Sequence, residues 1–214
     1  MSGGKATMLG QDPWAAAPEP VLVVVSGLPG SGKTTLARTI GARLTVPVVE
    51  RDRLAELCFD VLGAGSAAVA ELGSLSYELL FYVAREFMAS RHPVLVESNF
   101  SRVRHAPQLC ALVDGSTYRL AEIHCRTPGD VLLDRYAARA RNGTRHRRHD
   151  DLNRIEEFRA VFADPGRHED ALVFPDRALV VDTTREVATD DVLRHLSLGN
   201  TGASVSPDGQ DGRR

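Results

Sequence analysis

Lysine is almost missing from this chain. Its 214 residues carry 26 lysines and arginines together, of which only Lys5 and Lys33 are lysine. Lys5 lies in a lead segment of Gly, Ser, Thr and Met that reads as disordered, so the part expected to fold holds a single lysine. Cysteine is scarce too. Cys58, Cys110 and Cys125 form an odd, widely spaced set without a Cys-x-x-Cys pair, which argues against a disulfide framework or a zinc site and for reduced thiols. No apolar run approaches the ~20 residues that span a bilayer. Met1 to Gly10 has no apolar stretch of the kind a secretory signal needs. A cytoplasmic location with no membrane partner is therefore expected. Nor is there an excess of one charge: the formal net charge is −2, so no global basic field advertises nucleic acid.

What is present is ordinary globular composition, of a length that suits one α/β domain with tails. Residues 1–20, rich in Gly, Ala and Pro, read as a flexible lead, and Trp14 within them as loosely docked at most. Residues 21–198 form the expected domain, and 199–214 read as a disordered tail. Within the domain short apolar runs alternate with helical patterns. Val21–Val25 is a continuous β-branched run, the mark of a strand buried on both faces. Further strands are expected at Val46–Val49, Pro93–Glu97, Tyr118–Cys125 and Ala178–Val181. Helices are expected at Lys33–Leu44, Asp52–Leu62, Ser74–His92, Arg104–Val113, Pro128–Asn142, Ile155–Phe162 and Val187–Leu198. The alternation predicts a three-layer α/β/α fold around a five-stranded parallel sheet.

The single lysine of the domain falls in Gly27-Leu28-Pro29-Gly30-Ser31-Gly32-Lys33-Thr34, a GxxxxGK[ST] motif that follows the first strand and opens the first helix. Glycines let the backbone wrap a phosphate with its N–H groups inward, and the helix N-terminus adds its positive end. Lys33 can reach the β- and γ-phosphates and the Thr34 hydroxyl can ligate Mg²⁺; Thr35 completes the loop. A nucleoside triphosphate ligand follows. Guanine-specific switch proteins need an Asn-Lys-x-Asp element, for which no lysine remains, and the Leu-Ser-Gly-Gly signature of transporter ATPases is absent. The kinase branch is left.

Asp52 stands just past the second strand's carboxyl end, where it either takes a proton from an attacking hydroxyl or N-caps the helix that follows. Glu97, ending the third strand, either serves the metal side or forms a structural ion pair. Arg135 and Arg139 share a helix face and could project over a triphosphate, with the break at Asn142-Gly143-Thr144 opening a lid. Arg147 and Arg148 read as a solvated face, as charge runs usually are. His146 and His149 are too weakly spaced for a metal and read as substrate contacts or solvent-exposed; His124 reads as a buried, hydrogen-bonded histidine. The Gly- and Ala-rich stretch from Asp60 to Leu75 is expected to line the acceptor pocket.

The phosphate loop, Glu50-Arg51-Asp52-Arg53, Glu97-Ser98-Asn99-Phe100, Asp134-Arg135-x-x-x-Arg139 and Arg145-His146, in that order, resemble the bacterial ATP-dependent P-loop kinases often labelled AAA-family ATPase or kinase. The group includes the kinase domain of polynucleotide kinases and is related to zeta toxins and chloramphenicol phosphotransferase. The likeness spans about residues 21–185. It implies that Lys33 and Thr34 serve phosphate and Mg²⁺, that Asp52 is the general base, and that Arg135 and Arg139 belong to a lid. Ala55 stands where polynucleotide kinases have an arginine, and Glu97 where they have Asp, which counts against a polynucleotide acceptor. The expected activity is ATP-dependent phosphorylation of a small-molecule hydroxyl. A nucleic-acid 5′-hydroxyl kinase and a non-catalytic ATP-binding regulator are the alternatives.

Overall fold

The computed structural model describes residues 20–62, 66–176 and 178–197. The expected lead and tail, with Trp14, lie outside the described residues, apart from Pro20. Five strands, β1 (Val21–Ser26), β2 (Val48–Glu50), β3 (Val94–Glu97), β4 (Arg119–Arg126) and β5 (Ala178–Asp182), form one sheet in the order β2-β3-β1-β4-β5. Every pairing is parallel. All carboxyl ends therefore open on one edge, and the segments that follow the five strands start there.

The helices are α1 (Lys33–Leu44), α2 (Arg51–Leu62), α3 (Ser66–Ala89), α4 (Arg102–Val113), α5 (Gly129–Asn142), α6 (Ile155–Ala163), α7 (Pro165–Ala171) and α8 (Thr189–Ser197). The alternation of β1 divides its side chains between two cores. Val21, Val23 and Val25 pack with Leu36 and Ile40 of α1 and Val192 and Leu196 of α8. Leu22 and Val24 pack with Leu80, Phe81 and Ala84 of α3 and Leu109 of α4. That is the three-layer arrangement. A third cluster, Leu132, Tyr136 and Phe162, joins α5 to α6.

Two helical features differ from the sequence expectation. Helix α3 begins at Ser66, eight residues before Ser74, so most of the Gly- and Ala-rich stretch is helix and not a pocket-lining loop. Among its described residues, Gly73 and Ser74 line the nearby cavity described below. Helix α7 follows α6 directly; Asp164 caps it through a bond from Gly166 N (2.9 Å), and Pro165 fills its first position.

Helix α1 lies so close to β2 that a Cβ on Gly41 would come within 2.3 Å of Val48 Cγ2 and 3.0 Å of the Val46 carbonyl oxygen. Glycine to alanine in a helix ordinarily gains up to ~1 kcal/mol. Here the sign reverses: Gly41→Ala is expected to cost about 1–3 kcal/mol by overpacking. Its melting temperature should drop by several degrees; one at or above wild type would show that α1 can move off the sheet freely.

A buried polar group ties the distal half of the sheet together. Glu122 in β4 is fully buried and accepts bonds from Val173 N (3.0 Å), Phe174 N (2.6 Å) and Ser26 Oγ. It thereby pins the chain between α7 and β5. Ser26 Oγ also meets His124 Nδ1 at 2.9 Å, and His124 is buried as its sequence context suggested. Burial, aided by the Arg126 charge, pushes the His124 imidazole down to about 4. A histidine held neutral stabilises the fold fully above its unfolded pKa near 6.5, and that stability is lost as the pH falls towards 4. Acidification across this window should cost wild type up to about 3 kcal/mol more than His124→Gln. Glu122, whose carboxyl is raised by burial, works in the opposite direction in both proteins, so the difference isolates His124. Parallel stability–pH curves would remove this account of the histidine.

Candidate functional site

The loop from Gly27 to Gly32 turns at the carboxyl end of β1 with Gly27, Gly30 and Gly32 at positive φ (138°, 87° and 80°). A Cβ at Gly27 would sit 2.6 Å from the Cys125 carbonyl oxygen, so no other residue fits. Gly32 caps α1 in the left-handed conformation and offers no side-chain acceptor, which leaves the first N–H groups of α1 open to an anion. Ser31 Oγ is buried without a partner among the described residues, a further polar atom at a cradle built for a polar ligand. The loop is held from behind: Thr183 donates from Oγ1 to the Ser31 carbonyl (2.7 Å), Thr127 Oγ1 and Thr183 Oγ1 meet at 2.6 Å, and Arg135 Nη2 donates to the Thr183 carbonyl (2.8 Å). Sequence reasoning missed Thr127 and Thr183, because their contacts exist only once β4 and β5 are neighbours.

Beside the loop is a cleft of about 370 Å³. Lys33, Thr34, Asp52, Glu97 and Arg139 all line it. Lys33 Nζ lies 3.7 Å from Glu97 Oε1, and both side chains are buried. The Thr34 side chain lines the cleft with Glu97 and favours its charged form. Burial raises the Glu97 carboxyl above its usual range, as do its acidic neighbours Asp52 and Glu50, while Lys33 and Thr34 pull it back. No group of three or more His, Cys, Asp or Glu among the described residues could alone hold a metal. A hydroxyl and one carboxylate beside a phosphate cradle nevertheless fit Mg²⁺, which usually keeps several waters and takes its other ligands from phosphate oxygens.

Asp52 is in the first turn of α2, which starts at Arg51, so it stands inside the helix and not at its cap. Its carboxylate takes Arg51 Nη1 on Oδ1 (3.0 Å) and Arg145 on Oδ2. Burial alone would raise this carboxyl. The charges of Lys33, Arg145, His149 and Arg51 override it and hold the group below the usual carboxylate range. It is ionised at neutral pH and ready to accept a hydrogen bond.

The two arginines of α5 part company. Arg139 lines the cleft, 3.5 Å from Asp151 Oδ2, whereas Arg135 turns to the backbone of the phosphate loop and the end of β5 and does not line it. Helix α5 ends at Gly143 in the left-handed conformation, and two 3₁₀ turns follow, at Arg147–His149 and Asp151–Arg154. They are docked on α2. His146 Nε2 meets Asp60 Oδ1 at 3.0 Å, His149 Nε2 meets Glu56 Oε1 at 2.9 Å, and Arg145 bridges Asp52 and Asp151. Asp151 is buried and accepts from Tyr136 Oη (2.8 Å). The solvated reading of this run holds for exposed Arg147, whose guanidinium lies over Phe59. It fails for Arg148, which lines the cleft; of the two readings of His149, solvent exposure is ruled out, since it is buried and lines the cleft too. Sequence reasoning also left Arg51, Glu56 and Asp151 without a place in the site. The pattern could not reveal Glu56, whose partner in the cleft, His149, is far away in sequence.

A second, larger cavity of about 920 Å³ adjoins the cleft and shares Pro29, Arg51, Asn99, Arg154 and Phe158 with it. Its other walls include Tyr77, Phe100 and His105, with Tyr77 and His105 stacked at 4.1 Å between ring centres. No helix among the described residues is long and apolar enough to cross a membrane.

In comparisons with known proteins, a family model described as an AAA domain matches residues 22–165. No curated protein matches the chain. Among solved structures, a presumed kinase of Chloroflexus aurantiacus J-10-fl is 25% identical with a TM-score of 0.70, over 85% of this chain and 98% of that one. A gluconokinase of Sinorhizobium meliloti 1021 is 20% identical with a TM-score of 0.49, over 84% and 91%. With its parallel sheet, its phosphate loop opening α1 and most of its length matched, this chain belongs to the AAA domain family as a kinase-like P-loop protein.

Proposed function

We propose that the protein is an ATP-dependent phosphotransferase whose acceptor is the hydroxyl of a small molecule. One observation carries the reading: an ionised carboxylate, Asp52, shares with the phosphate-loop lysine a cleft that adjoins a second cavity large enough for an acceptor. A binding-only regulator needs the loop but has no use for that carboxylate or the cavity behind it.

In the proposed step the acceptor oxygen forms a bond to the γ-phosphorus as the bond to the β–γ bridging oxygen breaks, and ADP leaves with the electron pair. The hydroxyl proton passes to Asp52. The low basicity of this carboxylate suits a loose transition state, in which the nucleophile needs little activation until late. Lys33 and the loop N–H groups hold the phosphates, and Arg139 faces the same cleft to stabilise charge on the transferring group. Magnesium, with Thr34 and Glu97 at its site, would supply charge neutralisation on the phosphates.

Arg139→Ala should lower kcat by ~10²- to 10³-fold while ATP affinity changes far less, because a contact made in the transition state is lost selectively. The function itself is tested by ADP formation with Mg-ATP across hydroxylated metabolites, nucleosides, antibiotics and oligonucleotides. Stimulation by a small-molecule acceptor supports the reading. Turnover indifferent to every acceptor would return the protein to the regulator class.

A further inference from the structure

The cleft holds more positive charge than its own carboxylates match. Lys33 and seven arginines line it against five carboxylates, Glu50, Asp52, Glu56, Glu97 and Asp151. A bound triphosphate accounts for a positive surplus near Lys33. It does not account for where two of the arginines are. The Arg51 guanidinium donates to the Gly73 carbonyl (3.3 Å) and lies 4.8 Å over the Tyr77 ring, so it stands at the wall of the larger cavity, which neither Lys33 nor Thr34 lines. Arg148 comes from the first 3₁₀ turn and lines the phosphate-loop cleft, as Arg51 also does.

Both side chains keep a buried Nε with no hydrogen-bond partner among the described residues. A buried guanidinium nitrogen left unpaired costs free energy that an acceptor group would recover. Burial disfavours the Arg148 charge, and Arg51, which lines the same cleft, disfavours it further. Asp52 offsets part of that penalty but is shared with Arg145 and Lys33. Two desolvated like charges beside a cavity are an arrangement that an anion relieves.

We propose that the acceptor carries an anionic group, a carboxylate or a phosphate, received by Arg51 and Arg148, with its body in the larger cavity and its hydroxyl at Asp52. This rests on the phosphotransferase reading and narrows it to hydroxy acids and phosphorylated hydroxyl compounds. The apolar and aromatic walls formed by Tyr77, Phe100 and Phe158 suit a carbon skeleton of modest size. The anion fixes its orientation, so that the hydroxyl and the γ-phosphorus meet.

The test uses the full chain with Mg²⁺ and γ-³²P-labelled ATP. Acceptors are offered in matched pairs: each hydroxy acid with its primary amide, each phosphorylated polyol with the parent polyol, and a 5′-hydroxyl oligonucleotide as a separate arm. The anionic member of the best pair should exceed its neutral partner by ~10- to 100-fold in kcat/KM, the range for one charged hydrogen-bonding contact. Arg148→Gln should raise KM for the anionic acceptor by a similar factor and leave the neutral partner near its wild-type value, with KM for ATP as the control on the nucleotide side. Whether the acid or the phosphate pairs respond identifies the anion. Equal use of charged and neutral partners, or an Arg148→Gln variant that keeps the discrimination, overturns the proposal while transfer itself still supports a kinase. An oligonucleotide preferred over every small acceptor overturns it as well. If ATP binds and no acceptor is labelled, the phosphotransferase reading fails and takes this proposal with it.

Discussion

Lys33→Ala should reduce phosphate transfer by ~10³-fold, to a level at or below detection, in a protein that still folds. The lysine is buried at the mouth of the phosphate loop, and its nearest anionic partner is Glu97. Removing a buried cation ordinarily strands its partner at a cost of several kcal/mol. Glu97, which burial already pushes away from its charged form, loses its cationic partner, so the variant should melt below wild type. Transfer is therefore measured at a temperature where the variant is folded, and there it should fail. Lys33→Met, which keeps the stem, guards against a packing effect and should fail equally. A transfer rate within tenfold of wild type in either variant would take the lysine out of the mechanism.

Asp52→Asn is the second large effect. Asparagine keeps the size and can still accept from one arginine, but it cannot take a proton, and transfer should fall by ~10²- to 10⁴-fold. Helix capping does not confuse the result, since Asp52 stands within α2 and its contacts are Arg51 and Arg145. The substitution also loosens the link from α2 to the segment that carries Arg145, Arg148 and His149. A stability loss without a catalytic loss would make that link the main role of the acid. The expected outcome is the reverse, with ATP affinity retained; it is read by ATP titration, melting temperature and single-turnover transfer on the same variant.

The parts of the site that are legible in the sequence are those made by neighbours in the chain. The phosphate loop needs only Gly27 through Thr34, a strand before it and a helix after it, and all three signals are local. Asp52 and Glu97 could be placed at one sheet edge because parallel strands put their carboxyl ends together. Arg135 and Arg139 look equivalent at a spacing of four, yet the first is drawn to the backbone carbonyls of Thr183 and Gly30 and the second to Asp151. Helical periodicity fixes a face and says nothing about which partner waits there. Arg148 looked like part of a solvated run, and His149 was left between substrate contact and solvent, for the same reason: Glu56 and Asp52 on α2 give them a place that no local pattern encodes. The early start of α3 was hidden by glycines, although Ala67, Ala68, Ala70, Glu71 and Leu72 between them are good helix formers.

The most direct measurement follows the label itself. Wild-type protein, Mg²⁺, γ-³²P-labelled ATP and the responding acceptor are mixed for less than one turnover, and the acceptor, free phosphate and protein are separated and counted. The account predicts label on the acceptor as a phosphate ester, one for each ADP formed, with none on the protein, because Asp52 takes a proton and no side chain takes the phosphoryl group. Label found only as free phosphate whatever acceptor is present, or covalently on the protein, would contradict it.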